Sequence, residues 1–597
     1  MATRYAVANG NWSNPATWDG GILPTSADDV HANNRTVTID QDVTVLSIRT
    51  TAGGAAVAGG TFNTVSSGII NINANIIAGS TGVITVNGTC TLNLTGNVTA
   101  GTHTNNAAIV LARYGGYTST NDLPVATING NIIGGSATGA EGVRVWGGTL
   151  TINGSITGGT ASTGASGFTF YNSENQPVRL TVNTGPVTGG SSSGGSTAAI
   201  GISTSLSGAS LSNSFININC NVIGGSNQSS NHGISTGSNV PISIVGNILG
   251  TSSNGVNITG SSTVAINITG NIGSSSATNY CLINSNLNAI INVTGNVFGS
   301  DVSGSGSGIR EQNGTYIING NVTGGRSGHA IDKNNNGSIT INGNVRGWPG
   351  TGGLTGSGRG VICQSGATNT ITINGNVFGG MYPASNCVGV AMQNAVILTV
   401  NGTAEGGSGN LCPAIIMGGN NASVTVTRAK GSAGGFGAAG NGTTMFVNPG
   451  IDNVISVVNY ASPVYYRELE FGEFGACPIA GHARMIAQSS NVFVGRTSTN
   501  TNKALTDPDA TGDYPNPIDV RKNISYASGN YTGTLIVPPN ASVAYGVPVD
   551  SGVGTAVLKP QDVWNYMRSN ITGSGTIGER LKNAATIQSV GDQIAAF

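Results

Sequence analysis

Asp301, Arg310, Glu311, Arg326, His329, Asp332, Lys333 and Arg346 form the one concentration of ionisable side chains in the middle of a 597-residue chain that is only 8% charged. Two carboxylates there raise the question of sugar chemistry. A glycosidase sets two carboxylates about 5 to 9 Å apart across the scissile bond, and a polysaccharide lyase needs a base with a cation beside it. Glu311 and Asp332 precede the asparagines of their own repeats, Asn321 and Asn344, by ten and twelve residues. If successive repeats stack, the two carboxylates are placed on adjacent coils, one strand spacing apart. Residues of these types also form solvated surface ion pairs, the more common arrangement, or contacts at an interface. Aromatics that stack on sugar rings (Tyr114, Trp146, Phe168, Phe170, Tyr171, Trp348, Tyr382) are sparse and out of register. No catalytic residue is therefore expected, Glu311 and Asp332 being the only candidates, and the weak signal favours a structural role.

The element that positions these residues is a repeat. Aligned on its asparagine, the phrase "INGNV" and its variants recur at Asn75, Asn97, Asn131, Ser155, Asn221, Asn247, Asn271, Asn296, Asn321, Asn344 and Asn376, with degenerate copies from Val182 and Val400. Spacings of about 22 to 35 residues are those of a solenoid. Within each copy Ile and Val alternate with Thr, Ser and Asn, as in "GSITINGNV", a period of two and hence strand. Nothing between copies has a helical apolar rhythm. The expectation is an all-β fold, a right-handed parallel β-helix of about 14 coils, three short strands to each. The Asn and Gly of the phrase are expected to turn the corner with positive φ. Equivalent Asn side chains, at Asn75, Asn97, Asn131, Asn221, Asn247, Asn271, Asn296, Asn321, Asn344 and Asn376, are expected to stack as an amide ladder.

Composition agrees with a rod and excludes other classes. Gly is 95 residues, yet hydrophobic residues are 38% and periodic, which a disordered tract does not sustain. A net charge of -1 leaves no basic stripe for nucleic acid. No run approaches the length of a membrane helix, and "MATRYAVANG" has no apolar core of a signal peptide, so neither membrane nor secretory targeting is expected. The cysteines (Cys90, Cys220, Cys281, Cys363, Cys387, Cys412, Cys477) are scattered and read as free, packed thiols, with no metal or cofactor implied.

The ends differ in kind. The order "NWSNPATWDGGILPTSADDV", with Trp12 and Trp18, resembles the opening cap of many extracellular and bacteriophage β-helix proteins, in which the tryptophans plug the first coil. Asp28 and Asp29 within it read as turn and cap acceptors, with a bound Ca²⁺ as the sharper alternative. Toward the other end, "DVRKNISY", "GNYTGTLIVPP", "VAYGVPVDSGVGTAVLKPQDVWNYMRSNI" and "IGERLKNAATIQSVGDQIAAF" resemble a terminal module of bacteriophage tail-fibre-like virion proteins.

These resemblances imply four segments. A cap and first strands occupy 1-65, the β-helix 66-432, closing coils or a compact β module 433-505, and a small α+β region of strands and helices for attachment or oligomerisation 506-597. They imply a virion protein made in the host cytoplasm: a fibre, spike or surface decoration, trimeric by analogy, contacting other virion proteins and host surface polysaccharide. The alternatives are a tailspike depolymerase acting as glycan hydrolase or lyase, and a bacterial surface adhesin.

Overall fold

Alternation becomes strand wherever the repeat is written. In Gly337–Ile341 the side chains of Ile339 and Ile341 are buried while Thr340 is half-buried, and after the next corner Val345 is buried again. The computed structural model describes residues 2–430 except for segments of the corner loops, the longest being 112–122 and 205–212. Beyond 430 it describes seven short strands. Among the described residues there is no α-helix, only two 3-10 turns at Pro15–Thr17 and Asp19–Gly21. The strands pair in parallel, coil upon coil, into a β-solenoid of about 12 turns.

Three stacks build each coil. The first holds the strands before the asparagine corner, such as Thr91–Thr95, Val125–Asn129 and Gly148–Asn153. The second holds the two- or three-residue strands after it, such as Val98–Thr99, Ile132–Ile133 and Ile156–Thr157. The third holds Ile109–Leu111, Val143–Val145, Phe168–Phe170 and their successors. Register keeps like over like: Leu92, Ala126, Leu150, Leu180, Ile216, Ile242 and Ile266 form one unbroken interior column. Each fully buried Leu or Ile of that column contributes about 1.5 to 3 kcal/mol relative to exposure.

The corner works differently from its sequence reading. Among the described residues, the asparagines with positive φ are Asn33, Asn34, Asn213 and Asn523, none of them a repeat asparagine. The preceding glycine takes the unusual conformation instead, with φ of 144° at Gly96, 150° at Gly270 and 151° at Gly295. A Cβ at Gly270 would overlap the carbonyl oxygen of Gly246 in the coil beneath. Close backbone approach, rather than turning by asparagine, fixes the motif.

The repeat asparagines accept mainly from the backbone of the next coil, and amide-to-amide bonds of the expected kind join Asn296 to Asn271 at 3.3 Å and Asn321 to Asn296 at 3.1 Å. The N–H of Asn97 donates to Oδ1 of Asn75 at 3.0 Å, that of Asn131 to Asn97 at 2.9 Å, and that of Asn271 to Asn247 at 2.9 Å. The run continues through Asn296, Asn321, Asn344 and Asn376 to the N–H of Thr403. It pauses at Ser155, because the next coil carries Pro186 in that slot and proline has no N–H to donate. It resumes when the N–H of Asn247 donates to Asn221. The longer amide-to-amide ladder lies two residues earlier in the phrase: Asn153 donates to Asn129, Asn183 to Asn153, Asn374 to Asn342 and Asn401 to Asn374. The strand holds that earlier asparagine directly above its counterpart.

At the N-terminal end Trp12 and Trp18 are buried and meet edge to face at 4.8 Å, with Trp12 also 6.0 Å from Phe62. Trp18 Nε1 donates to the carbonyl of Trp12 at 2.9 Å. Parallel pairing runs without a break from Thr3–Tyr5 through Asp29–His31 and Val43–Arg49 into Ile69–Ile77. Past the repeat, Met445–Val447 and Asn453–Val457 still pair in parallel onto Ile415–Met417 and Ser423–Lys430.

Contacts divide the chain into two units, Met1–Ile486 and Ala487–Phe597. In the second, Ser525–Tyr526 pairs antiparallel with Tyr531–Thr532, and Pro548–Val549 with Gly552–Val553. The helices expected within 506–597 lie outside the described residues.

Candidate functional site

The ionisable cluster sits in the third stack, and register decides its chemistry. Strand Ile309–Glu311 pairs with Ile331–Lys333, which pairs with Val361–Cys363. Arg310 therefore lies opposite Asp332, and Glu311 opposite Lys333. Since successive side chains alternate across a strand, Glu311 and Lys333 join Ile309 and Ile331 inside the coil, while Arg310 and Asp332 point outward. The two candidate carboxylates occupy opposite faces of one sheet. They cannot flank a common glycosidic bond, so the catalytic dyad is ruled out.

Inside, Lys333 Nζ donates to the Glu311 carboxylate and to the carbonyl of Asn335 at 2.9 Å. Both side chains are wholly buried, so the pair is not the solvated one expected of a surface. Burial pushes the Glu311 carboxyl above the usual range, and the Lys333 charge beside it opposes the rise. The same interior column holds Asn284, which donates to the carbonyls of Asn286 at 3.2 Å and Asn313 at 2.8 Å. Farther along it Thr204 donates to Thr236 at 2.6 Å and Ser238 to Thr204 at 3.0 Å. Glu311 Oε2, Lys333, Asn284, Thr204 and Ser238 are thus tied to partners within the rod, while Glu311 Oε1 is buried without one.

Outside, Asp332 is 5% exposed and accepts from Asn334 Nδ2 and Gln364 Nε2, each at 3.0 Å. Burial raises its carboxyl, against the guanidinium charges of Arg310 and Arg359 on either side. Arg310 Nη1 donates to the Tyr280 hydroxyl at 2.6 Å and its guanidinium lies 4.6 Å from the ring centre. His329 Nδ1 accepts the backbone N–H of Arg359 at 3.3 Å; burial first, then the Arg359 charge, hold its pKa down at about 3. This group is a half-buried ion cluster with one carboxylate, its hydrogen bonds directed inward. Among the described residues no second carboxylate stands beside Asp332 on this outer face.

The other sequence candidates disperse. Arg346 lies on the second stack with its guanidinium 5.1 Å from the Phe378 ring, and Arg326 is half-buried in the loop before His329. Phe168 and Phe170 are core residues; Asp301, Tyr114, Tyr171 and Tyr382 lie outside the described residues. Cys90, Cys220, Cys281, Cys363 and Cys387 are thiols outside any disulfide, and Cys412 and Cys477 lie outside the described residues. Asp28 accepts from the N–H and hydroxyl of Thr25 at 2.8 and 2.9 Å, and Asp29 pairs with Arg49 at 3.3 Å, so each serves local bonding. A second charged pair, Glu141 with Arg144 at 2.6 Å, was not singled out by sequence. Its i, i+3 spacing across a corner carries no strand or helix signal.

No protein-family model, curated protein or solved structure matches this chain.

Proposed function

We propose that the chain is a structural component of a bacteriophage particle, a rigid β-helical fibre, spike or surface decoration built as a homo-oligomer. The observation that carries the reading is the unbroken parallel stack of coils, in which the two candidate carboxylates, Glu311 and Asp332, stand on opposite faces of one sheet. A stack with only neighbour-to-neighbour contacts transmits load and resists proteolysis along its length. The tryptophan-rich opening and the terminal segments that resemble phage virion modules supply the assignment to a particle. Exposed Thr, Ser and Asn on the coils are suited to transient contact with host surface glycan, through hydroxyl and amide hydrogen bonds.

The test is an assay of the purified full chain on host capsule and lipopolysaccharide. The reading expects no release of oligosaccharide. Release that disappears in Asp332→Asn, with the fold intact by circular dichroism, would replace it with a depolymerase.

A further inference from the structure

Charge is distributed unevenly around the rod. The third stack carries Glu141, Arg144, Arg310, Asp332 and Arg359 on its outer side. The first stack, from Thr91–Thr95 to the opening half of Val396–Glu405, presents outward residues among which Arg179 is the sole charge. Its central outward column is hydroxyl and amide almost throughout: Thr151, Thr181, Asn217 and Ser243 follow one another in register, as Thr340 and Thr372 do farther along. Around the asparagine corner the second stack adds exposed apolar side chains at Ile133, Leu249 and Phe298, again without charge until Arg346. One long side of the rod is thus sparsely charged, with Arg179 and Arg346 its exceptions on the strands named, and is mixed polar and apolar and regular.

We propose that this side is where a second copy of the chain docks. The proposal rests on the homo-oligomer in the reading above and names its surface. Two arguments select a second copy over other occupants. Interface cores are depleted in charge because covering a charge costs solvation, and this face meets that condition apart from Arg179 and Arg346. The columns also repeat at the strand spacing of about 4.8 Å, and a chain of the same repeat is the partner that stays in step over a dozen coils. At that spacing and about 3.3 Å per residue the face measures roughly 50 by 15 Å, on the order of 800 Å² per copy, the area of a standard stable interface.

The test is label-free sedimentation: analytical ultracentrifugation of the full chain, wild type against the quadruple variant Thr151→Lys, Thr181→Lys, Thr340→Lys, Thr372→Lys, with Ser203→Lys, Ser235→Lys on the third stack as control. The expected result is an oligomer at micromolar concentration whose dissociation constant rises at least tenfold in the quadruple variant and holds in the control. Circular dichroism checks the fold. Should the quadruple variant fail to fold, Thr372→Cys is compared with Ser235→Cys for disulfide cross-linking between copies, and only the former should cross-link. A monomeric wild type, an oligomer that survives four lysines, or equal cross-linking at both positions would overturn the docking face. None of these results bears on whether the chain belongs to a particle, which the particle itself decides.

Discussion

Replacing Lys333 with methionine isolates the energetics of the rod's interior. Glu311 and Lys333 are both wholly buried, and Lys333 also holds the Asn335 carbonyl. The substitution keeps the length and apolar stem of the side chain but leaves Glu311 without its counter-charge. Breaking a buried pair from one side costs about 3 to 5 kcal/mol, because the remaining charge stays desolvated. The double variant Glu311→Leu, Lys333→Met removes both charges and should recover most of that loss. The sign with pH follows from Glu311, whose folded pKa is raised by burial. Such a group favours the folded state below its unfolded value, near 4.5, and this contribution is lost as pH rises through the folded value. Without Lys333 the rise is larger, so the deficit of the single variant should be greatest at neutral pH and shrink toward pH 4. Denaturant titrations at several pH values, with hydrogen exchange to follow the coils around 309–333, read both effects. A loss under about 1 kcal/mol at pH 7, or one independent of pH, would refute the buried-charge reasoning.

Further outcomes follow from the corner and the buried histidines. Gly270→Ala places a methyl group against the Gly246 carbonyl, and should cost at least about 2 kcal/mol in thermal or denaturant unfolding. Asn321→Ala removes the acceptor for the Asn344 N–H and should cost about 1 kcal/mol with faster exchange of that amide. Ser155→Ala, facing Pro186, should leave the amide exchange of the next coil unchanged. His232 and His329, held down by burial to about 4 and about 3, should show no ring titration by NMR above pH 5. Their folded values lie below the unfolded 6.5, so each withdraws stability as pH falls through 6.5 toward its folded value.

The period, the alternation and the inward Ile and Val were legible because they depend on spacing within one strand. Ile339, Ile341 and Val345 needed no knowledge of neighbouring coils. What escaped depends on register between coils. Glu311 stands ten residues before Asn321 and its partner Lys333 eleven before Asn344, because the turn before Gly337 is one residue longer than that before Gly314; spacing from the asparagine does not tell Lys333 from Asp332, one residue farther back. A second motif carried the correct register around the cluster: a small residue followed by an aliphatic one opens the third-stack strands at Gly308-Ile309, Ala330-Ile331, Gly360-Val361 and Gly389-Val390. The asparagine ladder was displaced for a related reason. Two asparagines occur in "INGN", and composition alone does not tell which side chain meets its counterpart and which meets the next backbone N–H. Glu141 and Arg144 meet across a corner between strands, where no periodicity points to them.

The most direct test of the structural reading is imaging of particles purified from a lysate of the host that carries the gene, labelled with an antibody against residues 66–430. The account predicts label on the particle at a rod-like projection or surface feature that is missing from a deletion mutant. Particles of normal composition without the label, with the protein recovered on the bacterial envelope instead, would contradict it.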